Sequence, residues 1–136
     1  MSVTVAAVLT AKHGRADEVI AALREVSPLV HSEPGCDYYA AHREQDGDAV
    51  VMVERWTTRQ ELEAHATGAP LTRLNELLSD VLIRPYDVWF LDPVALGDPA
   101  KGDRLVTVTN GVSAAGPEDR AADRVDPPDT GAIGSA

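Results

Sequence analysis

The chain has 136 residues, the length of one ordinary domain, and 44% of them are apolar, so one hydrophobic core is expected. Its formal net charge is -10 and its pI is near 4.6, which disfavours nucleic acids and anionic membrane surfaces as partners because both are negatively charged. The apolar runs are far shorter than the roughly 20 residues that cross a bilayer, so no membrane role is expected.

The start of the chain and its cysteine content predict a cytoplasmic protein. The first residues lack the basic start and continuous apolar stretch of a secretory signal, and Cys36 is the only cysteine, so it has no disulfide partner within the chain. Four scattered histidines form no closely spaced Cys/His cluster, so no metal site is expected.

A strand and a long helix open the predicted fold. Residues 3–10 alternate in polarity with the period of a strand, β1. Gly14 ends this pattern, and the next apolar residues recur every three or four positions, which predicts helix α1. These residues are Val19, Leu23, Val26 and Val30. Pro28 lies in the last turns of α1, where it removes a backbone hydrogen bond and is expected to kink or end the helix.

A hairpin, a two-part helix and a last strand follow. Residues 36–44 and 49–56 flank an Asp46-Gly47 turn and predict strands β2 and β3. Thr58 and Glu61 have the spacing of a capping box, which predicts a helix over residues 59–66. Pro70 opens a second helical segment. Its expected apolar face consists of Leu71, Leu74, Leu78 and Val81. Residues 86–91 predict β4, and the order β-α-β-β-α-β is the α+β, ferredoxin-like arrangement with a four-stranded antiparallel sheet.

The composition changes near Pro93. Residues 94–136 contain six Gly, four Pro and no aromatic residue, so they are not expected to build a core of their own. Residues 105–109 alternate well enough to predict a short strand that pairs with the domain or with a second copy, although a flexible acidic tail is the preferred interpretation. We therefore predict one domain over residues 1–93 and a Gly/Pro-rich acidic tail over residues 94–136.

Both faces of the predicted sheet carry large apolar residues, which indicates a homodimer. Helices cover one face of a ferredoxin-like sheet, yet the segment 88–91 is apolar on both sides. Four or five such side chains left in water would each forgo roughly 1.5–3 kcal/mol of burial. Pairing of two sheets about a two-fold axis removes this cost. The alternative is a strand of the tail that covers the face within one chain.

Three short motifs stand out within the predicted domain. They are Glu33-Pro34-Gly35-Cys36 with Tyr39, then Glu54-Arg55-Trp56, then Glu63-Ala64-His65. Together they resemble the antibiotic biosynthesis monooxygenase family over about residues 2–93. The resemblance implies a ferredoxin-like protomer and a homodimer joined through its sheets, the dimeric α/β barrel. It also implies a pocket where a phenolic, quinol or anthrone-type compound of secondary metabolism meets dioxygen without metal or flavin.

The chemistry that this resemblance implies needs few protein groups. A deprotonated, electron-rich hydroxyaromatic passes an electron directly to dioxygen, so the protein must bind the flat ring, exclude water and take one proton. His65, on the helix expected to roof the pocket, is predicted to remove or shuttle the proton, with Glu54 setting its tautomer. Trp56 and Tyr39 offer flat faces that position the substrate. The predicted catalytic residues are His65 and Trp56, and no cofactor is expected.

The chain departs from two branches of the family. Counting from Gly14 and Trp56 places the Asn-Trp-His set of the haem-degrading branch on Ala7, His65 and Asn75, so that branch's ligand is missing. The polar partners of the tryptophan in the anthrone-oxygenase branch fall on Met52, Leu62 and Glu76. Neither pattern defines the substrate. The predicted substrate-binding residues are Tyr39, Glu54, Met52 and Asn75.

Other interpretations stay open for these residues and for the function. Trp56 can fill the core or an interface, Glu54 can pair with Arg55 or Arg73, and His65 can cap a neighbouring carbonyl. A cofactor-free isomerase or cyclase-like enzyme would use the same histidine for proton transfer only. A non-catalytic dimeric module would bind a small apolar metabolite or recruit a partner. Oxygen uptake distinguishes the first function from the other two.

Overall fold

The elements fold in the predicted order in a computed structural model that describes residues 2–102 of the chain. They are β1 (Val3–Thr10), α1 (Ala16–His31), β2 (Cys36–Arg43), β3 (Ala49–Trp56), α2 (Arg59–Ala66), α3 (Ala69–Leu78) and β4 (Asp87–Leu91). The four strands form one antiparallel sheet in the order β2-β3-β1-β4. The predicted α+β, ferredoxin-like fold is confirmed.

The chain divides into two units at Pro93. The sheet and helices α1 to α3 lie in the first unit. In the second unit, residues 94–102 contain a short helix, α4 (Pro99–Gly102). The strand predicted over residues 105–109 lies outside the described residues. Within residues 2–102, no helix combines the length and apolar character needed to cross a membrane.

The alternation of side chains along β1 and β3 gives the sheet two distinct faces. One face, here called the helix face, packs against the helices and includes Val5, Leu9, Met52 and Trp56, all of which are buried. The opposite face, here called the open face, is largely apolar. It includes Ala6, Val8, Val51, Val53, Trp89 and Leu91. A sheet with apolar residues on both faces is the pattern from which the sequence predicted self-association.

Helix α1 does not end at Pro28, contrary to one of the two outcomes expected from the sequence. It continues to His31, because Val26 and Val30 on either side of the proline are both fully buried. The proline is exposed, so the carbonyl group that loses its hydrogen bond lies on the solvent side of the helix. Burial on one face therefore outweighs the missing bond on the other.

The second helical region is broken where its sequence predicts. At the start of α2 the Glu61 backbone N–H donates to the Thr58 hydroxyl at 3.1 Å, which is one half of the expected capping box. The hydroxyl in turn donates to the Glu61 carboxylate, at 3.2 Å, so this carboxylate does not reach back to the Thr58 backbone. Helix α3 begins one residue before Pro70 and ends at Leu78. Val81, predicted on its apolar face, is buried just beyond the helix.

Candidate active site

A cavity of about 230 Å³ lies between the helix face of the sheet and helices α2 and α3. Most of its wall is apolar, and four polar side chains interrupt it: Tyr39, Glu54, His65 and Tyr86. The apolar lining residues are Val5, Ala7, Leu9, Met52, Leu62, Ala66, Leu71, Leu74, Val88 and Phe90. Such a site can hold a flat apolar ring and presents few groups to the polar atoms of a ligand.

The edge strand β4 supplies the exposed part of the cavity wall. Val88 and Phe90 line the cavity, yet they are 42% and 55% exposed. The guanidinium group of Arg59, the first residue of α2, lies 4.8 Å from the centre of the Phe90 ring. The cavity therefore meets the surface beside β4, where a ligand can enter without disturbing the central strands.

His65 lies on the buried side of α2, one turn after Leu62, and is only 5% exposed. Its Nδ1 atom lies 2.7 Å from Oε1 of Glu33. An ionised carboxylate can only accept, so Nδ1 carries a hydrogen and Nε2 has a free lone pair. Nε2 has no hydrogen-bond partner among residues 2–102, and the side chain lines the cavity. The imidazole is thus prepared to accept a proton from a ligand.

A tight loop brings Glu33 to this histidine. The backbone N–H of Cys36 donates to the Glu33 carbonyl, and that of Thr57 donates to the Gly35 carbonyl at 2.8 Å, which fixes the loop beside the end of β3. Gly35 has a φ of +82°, and a Cβ atom there would lie 2.2 Å from the Glu61 carboxylate, so only glycine fits. The Glu33-Pro34-Gly35 motif therefore positions a carboxylate opposite α2.

Trp56 packs against one face of the His65 ring. The two ring centres are 4.5 Å apart with an angle of 27° between their planes, a stacked arrangement. Trp56 is fully buried and is not among the residues that line the cavity. Its Nε1 atom donates to Oε1 of Glu54 at 3.0 Å, since residues two apart on a strand share a face. Trp56 therefore holds two groups that do line the cavity.

The predicted partnership between Glu54 and His65 is wrong. Glu33 occupies the Nδ1 side of the imidazole, whereas Glu54 binds the indole of Trp56. The alternative ion pairs of Glu54 are also not formed, because Arg55 donates to the Thr4 hydroxyl on the open face and Arg73 pairs with Glu25. The sequence indicated Glu33 only as part of a motif and did not predict its hydrogen bond to His65. An acidic residue that directly precedes a Pro-Gly turn was the available signal.

Tyr39 and Met52, for which the sequence predicted substrate binding, line the cavity. The Tyr39 ring lies edge-on to His65, with ring centres 5.7 Å apart, and its hydroxyl has no hydrogen-bond partner among residues 2–102. Burial raises the pKa of the Tyr39 phenol well above its usual value, so the group stays neutral and can donate. The described polar groups that remain open to a ligand are therefore few and close to His65.

The structure places Asn75 away from the cavity lining. This exposed residue of α3 accepts a 2.6 Å hydrogen bond from the Tyr86 hydroxyl. Tyr86 itself lines the cavity, and burial raises the pKa of its phenol to about 12. Asn75 thus contacts a lining residue, in contrast to the direct substrate contact expected from the sequence. Within residues 2–102, no group of three His, Cys, Asp or Glu side chains is arranged to hold a metal ion.

Comparisons with known proteins agree with this architecture. The family model described as antibiotic biosynthesis monooxygenase matches residues 2–76. A solved structure described as an antibiotic biosynthesis monooxygenase is 26% identical, with a TM-score of 0.63, and the match covers 68% of this chain and 99% of that one. A search of curated proteins found no match.

Two further solved structures share the fold. Rv0793 from Mycobacterium tuberculosis is 23% identical, with a TM-score of 0.65 and coverage of 72% of this chain and 100% of its own. PA3566 from Pseudomonas aeruginosa is 24% identical, with a TM-score of 0.64 and coverage of 69% and 95%. These relatives are covered almost completely, whereas part of this chain lies outside each match.

Proposed function

Because the chain belongs to the antibiotic biosynthesis monooxygenase family, we propose that it oxidises a small hydroxyaromatic compound, a phenol, quinol or anthrone, with dioxygen. The observation that carries this proposal is His65, which lines an apolar cavity and is hydrogen-bonded through Nδ1 to Glu33 behind the wall. This arrangement combines a proton acceptor with a water-poor space for a flat ring, the two things that direct oxidation of a phenol requires.

The first step is removal of the phenolic proton by Nε2 of His65. The resulting imidazolium is stabilised by the Glu33 carboxylate at 2.7 Å and by the stacked indole of Trp56, whose face attracts a cation. Both partners are in place before the proton arrives, so little rearrangement is needed. Tyr39 and Met52 hold the ring from the sheet side.

The second step is transfer of one electron from the phenolate to dioxygen. The phenoxyl radical and superoxide then combine at a ring carbon that bears a hydrogen, forming a C–O bond. The peroxide takes the proton back from His65, and loss of water leaves a new carbonyl group. One substrate and one dioxygen thus give one product with two hydrogens fewer and one oxygen more, together with one water.

The cavity favours a small substrate. Its volume of about 230 Å³ is below the roughly 300–1,000 Å³ of sites that enclose drug-sized ligands. A ring system of one or two fused rings fits inside, whereas larger ones extend past Phe90 to the surface. Independence from cofactors, a role in secondary metabolism and a cytoplasmic location stay predictions from the sequence and its resemblance to the family.

An oxygen electrode tests this function directly. Purified protein with a panel of one- and two-ring hydroquinones and an anthrone is expected to raise oxygen consumption above the spontaneous rate. Conversion of the ring without oxygen uptake would instead support the isomerase-like alternative. Tight binding without conversion would support the non-catalytic module. Product analysis by mass spectrometry with labelled dioxygen verifies that one oxygen atom enters the ring.

Replacing Glu33 by Gln is expected to lower kcat at least about tenfold while leaving KM nearly unchanged. The amide cannot stabilise the imidazolium by charge, and by donating to Nδ1 it favours the wrong tautomer of His65. Steady-state oxygen consumption measures both constants. Glu25→Gln, the same change at an exposed position of α1, is the matched control and is expected to behave like the unchanged protein. Equal kcat values for the two variants would exclude Glu33 from a positioning role.

We also propose that the open faces of two copies pack together in a homodimer. Trp89 and Leu91 on this face are 52% and 43% exposed, and Val51 and Val53, on the far side of β1, are half-buried. Burying this largely apolar face removes the unfavourable hydration of its large exposed side chains. A second copy supplies a complementary surface, since a two-fold axis brings the same residues together.

Replacing Trp89 by Lys is expected to weaken this dimer at least about 30-fold. Trp89 is a large exposed side chain of the open face, and a tryptophan buried in an interface commonly contributes about 2 kcal/mol or more. A lysine would lose this contribution and leave an unpaired charge in the interface. Sedimentation velocity over a range of protein concentrations gives the dissociation constants. Ile83→Lys changes an equally exposed residue off the sheet and should leave the dimer intact. A monomer at all concentrations of the unchanged protein would contradict the proposal.

A further inference from the structure

Glu54 is a buried acidic residue in the wall of the cavity. It lies on the helix face of β3, between Val5 and Tyr39 on the neighbouring strands, and is 6% exposed. Its Oε1 atom accepts the Trp56 indole N–H at 3.0 Å, and its Oε2 atom has no hydrogen-bond partner among residues 2–102. No Lys or Arg belongs to the described lining of the cavity. One oxygen of this carboxyl group is thus held, and the other is free.

A charged carboxylate is costly at this position. Burial raises the pKa of Glu54, and nearby Glu33 raises it further, while the bond from Trp56 and the proximity of His65 act in the opposite direction. The apolar lining therefore favours the neutral carboxyl group. A neutral carboxyl group has one O–H donor. Because Oε1 already accepts from the indole, the hydrogen lies on Oε2.

We propose that Glu54 acts as a neutral acid whose Oε2–H donates to a second oxygen atom of the substrate. The cavity would then bind the phenolic oxygen at Nε2 of His65 and the second oxygen at Glu54. This inference rests on the proposed function and narrows its substrate class to hydroxyaromatics that carry a further carbonyl or hydroxyl oxygen. Glu54 touches the substrate but takes no proton from it.

This arrangement also helps the proposed oxidation. As the ring loses its proton at His65, negative charge spreads through the π-system to a conjugated carbonyl oxygen. A donor already directed at that oxygen stabilises the charge without rearrangement. An ionised Glu54 would do the reverse, since it would repel the phenolate in a space with little water. The two polar ends of the site thus have different tasks, proton removal at one and charge stabilisation at the other.

Binding of matched phenols in the absence of oxygen tests the assignment. Para-hydroxyacetophenone and para-ethylphenol have nearly the same shape, but only the former has a carbonyl oxygen, and the meta isomers form a second such pair. Titration calorimetry is expected to show that the protein prefers the ketone at least about tenfold in one of the pairs. Glu54→Gln keeps a neutral donor and should keep the preference, whereas Glu54→Leu should lose it.

The outcomes distinguish a failure of the Glu54 assignment from a failure of the proposed oxidation. Equal loss of the preference in Glu54→Gln and Glu54→Leu would show that the carboxyl group itself is required and would overturn the neutral-donor role. No preference in either pair of phenols would overturn the inference as well. Tight, ketone-selective binding without oxygen uptake would contradict only the proposed oxygenation. Infrared spectra of the two proteins without ligand give a further readout. A band from a protonated carboxyl group should be present in the unchanged protein and absent in Glu54→Gln.

Stability against pH gives a second readout. A folded-state pKa above the usual 4.5 means that the stability linked to this proton is complete below pH 4.5 and is lost as the pH rises through the raised value. Glu54→Gln has no charge to bury. Its free energy of unfolding should therefore rise relative to that of the unchanged protein as the pH increases over that range, as measured by urea unfolding. A constant difference between the two proteins from acid to neutral pH would contradict a neutral Glu54.

Discussion

Replacing His65 by Gln is expected to reduce oxygen consumption about a hundredfold or more while the protein stays folded. Glutamine can donate to Glu33 in place of Nδ1, so the half-buried carboxylate keeps a partner, but the neutral amide is too weak a base to take a proton from a phenol. The loss should fall mainly on kcat, because the apolar wall that binds the ring is unchanged. Initial rates from an oxygen electrode, corrected for spontaneous oxidation, measure it.

The histidines of the chain provide a matched control for this experiment. His13 is exposed and lies near Asp48 in a loop away from the cavity, so His13→Gln should keep the full rate. Circular dichroism and a urea titration of both variants establish that each is folded. A His65→Gln protein that is folded and consumes oxygen at the original rate would remove His65 from the mechanism and leave only its structural contact with Glu33.

Much of the architecture could be predicted from the sequence because each element has a strong local signal. The alternation in β1 and β3, the Asp46-Gly47 turn and the Thr58 cap each specify backbone geometry within a few residues. Helix α1 shows the limit of this reasoning. The cost of Pro28 is local and visible in the sequence, whereas the burial of Val26 and Val30 that outweighs it depends on tertiary packing.

The site was harder to predict because its key contact joins distant parts of the chain. Glu33 and His65 are 32 positions apart, and their 2.7 Å contact depends on the loop held by Gly35 and Thr57. The residue spacings that predict helices and strands give no information about a contact between such distant positions. The bond between Glu54 and Trp56 is different, because residues two apart on a strand share a face and the pair could have been recognised from spacing alone. Tyr39, Met52 and Glu54, predicted from the sequence as substrate-binding residues, do line the cavity, but Glu54 binds Trp56 and not His65.

Trp56 connects the stability of the domain with the geometry of the site, which makes it the second residue with a large expected effect. Its fully buried side chain stacks on His65 and donates to Glu54. Trp56→Ala should lower the free energy of unfolding by about 3–5 kcal/mol, since it removes a large core side chain and leaves a cavity. This is a large part of the 5–15 kcal/mol that stabilises a typical domain.

Trp56→Phe separates the two roles of the indole. Phenylalanine keeps an aromatic ring beside His65 but has no N–H for Glu54, so the loss should be smaller, about 1–3 kcal/mol, and should combine the unsatisfied carboxyl oxygen with the smaller cavity that is left. Adding Glu54→Leu to this variant removes the unpaired acceptor and should restore part of the lost stability. Urea unfolding followed by circular dichroism measures all four proteins of the cycle. If the double variant is less stable than Trp56→Phe by the full effect of Glu54→Leu alone, then the two side chains act independently and the bond between them contributes nothing to the fold.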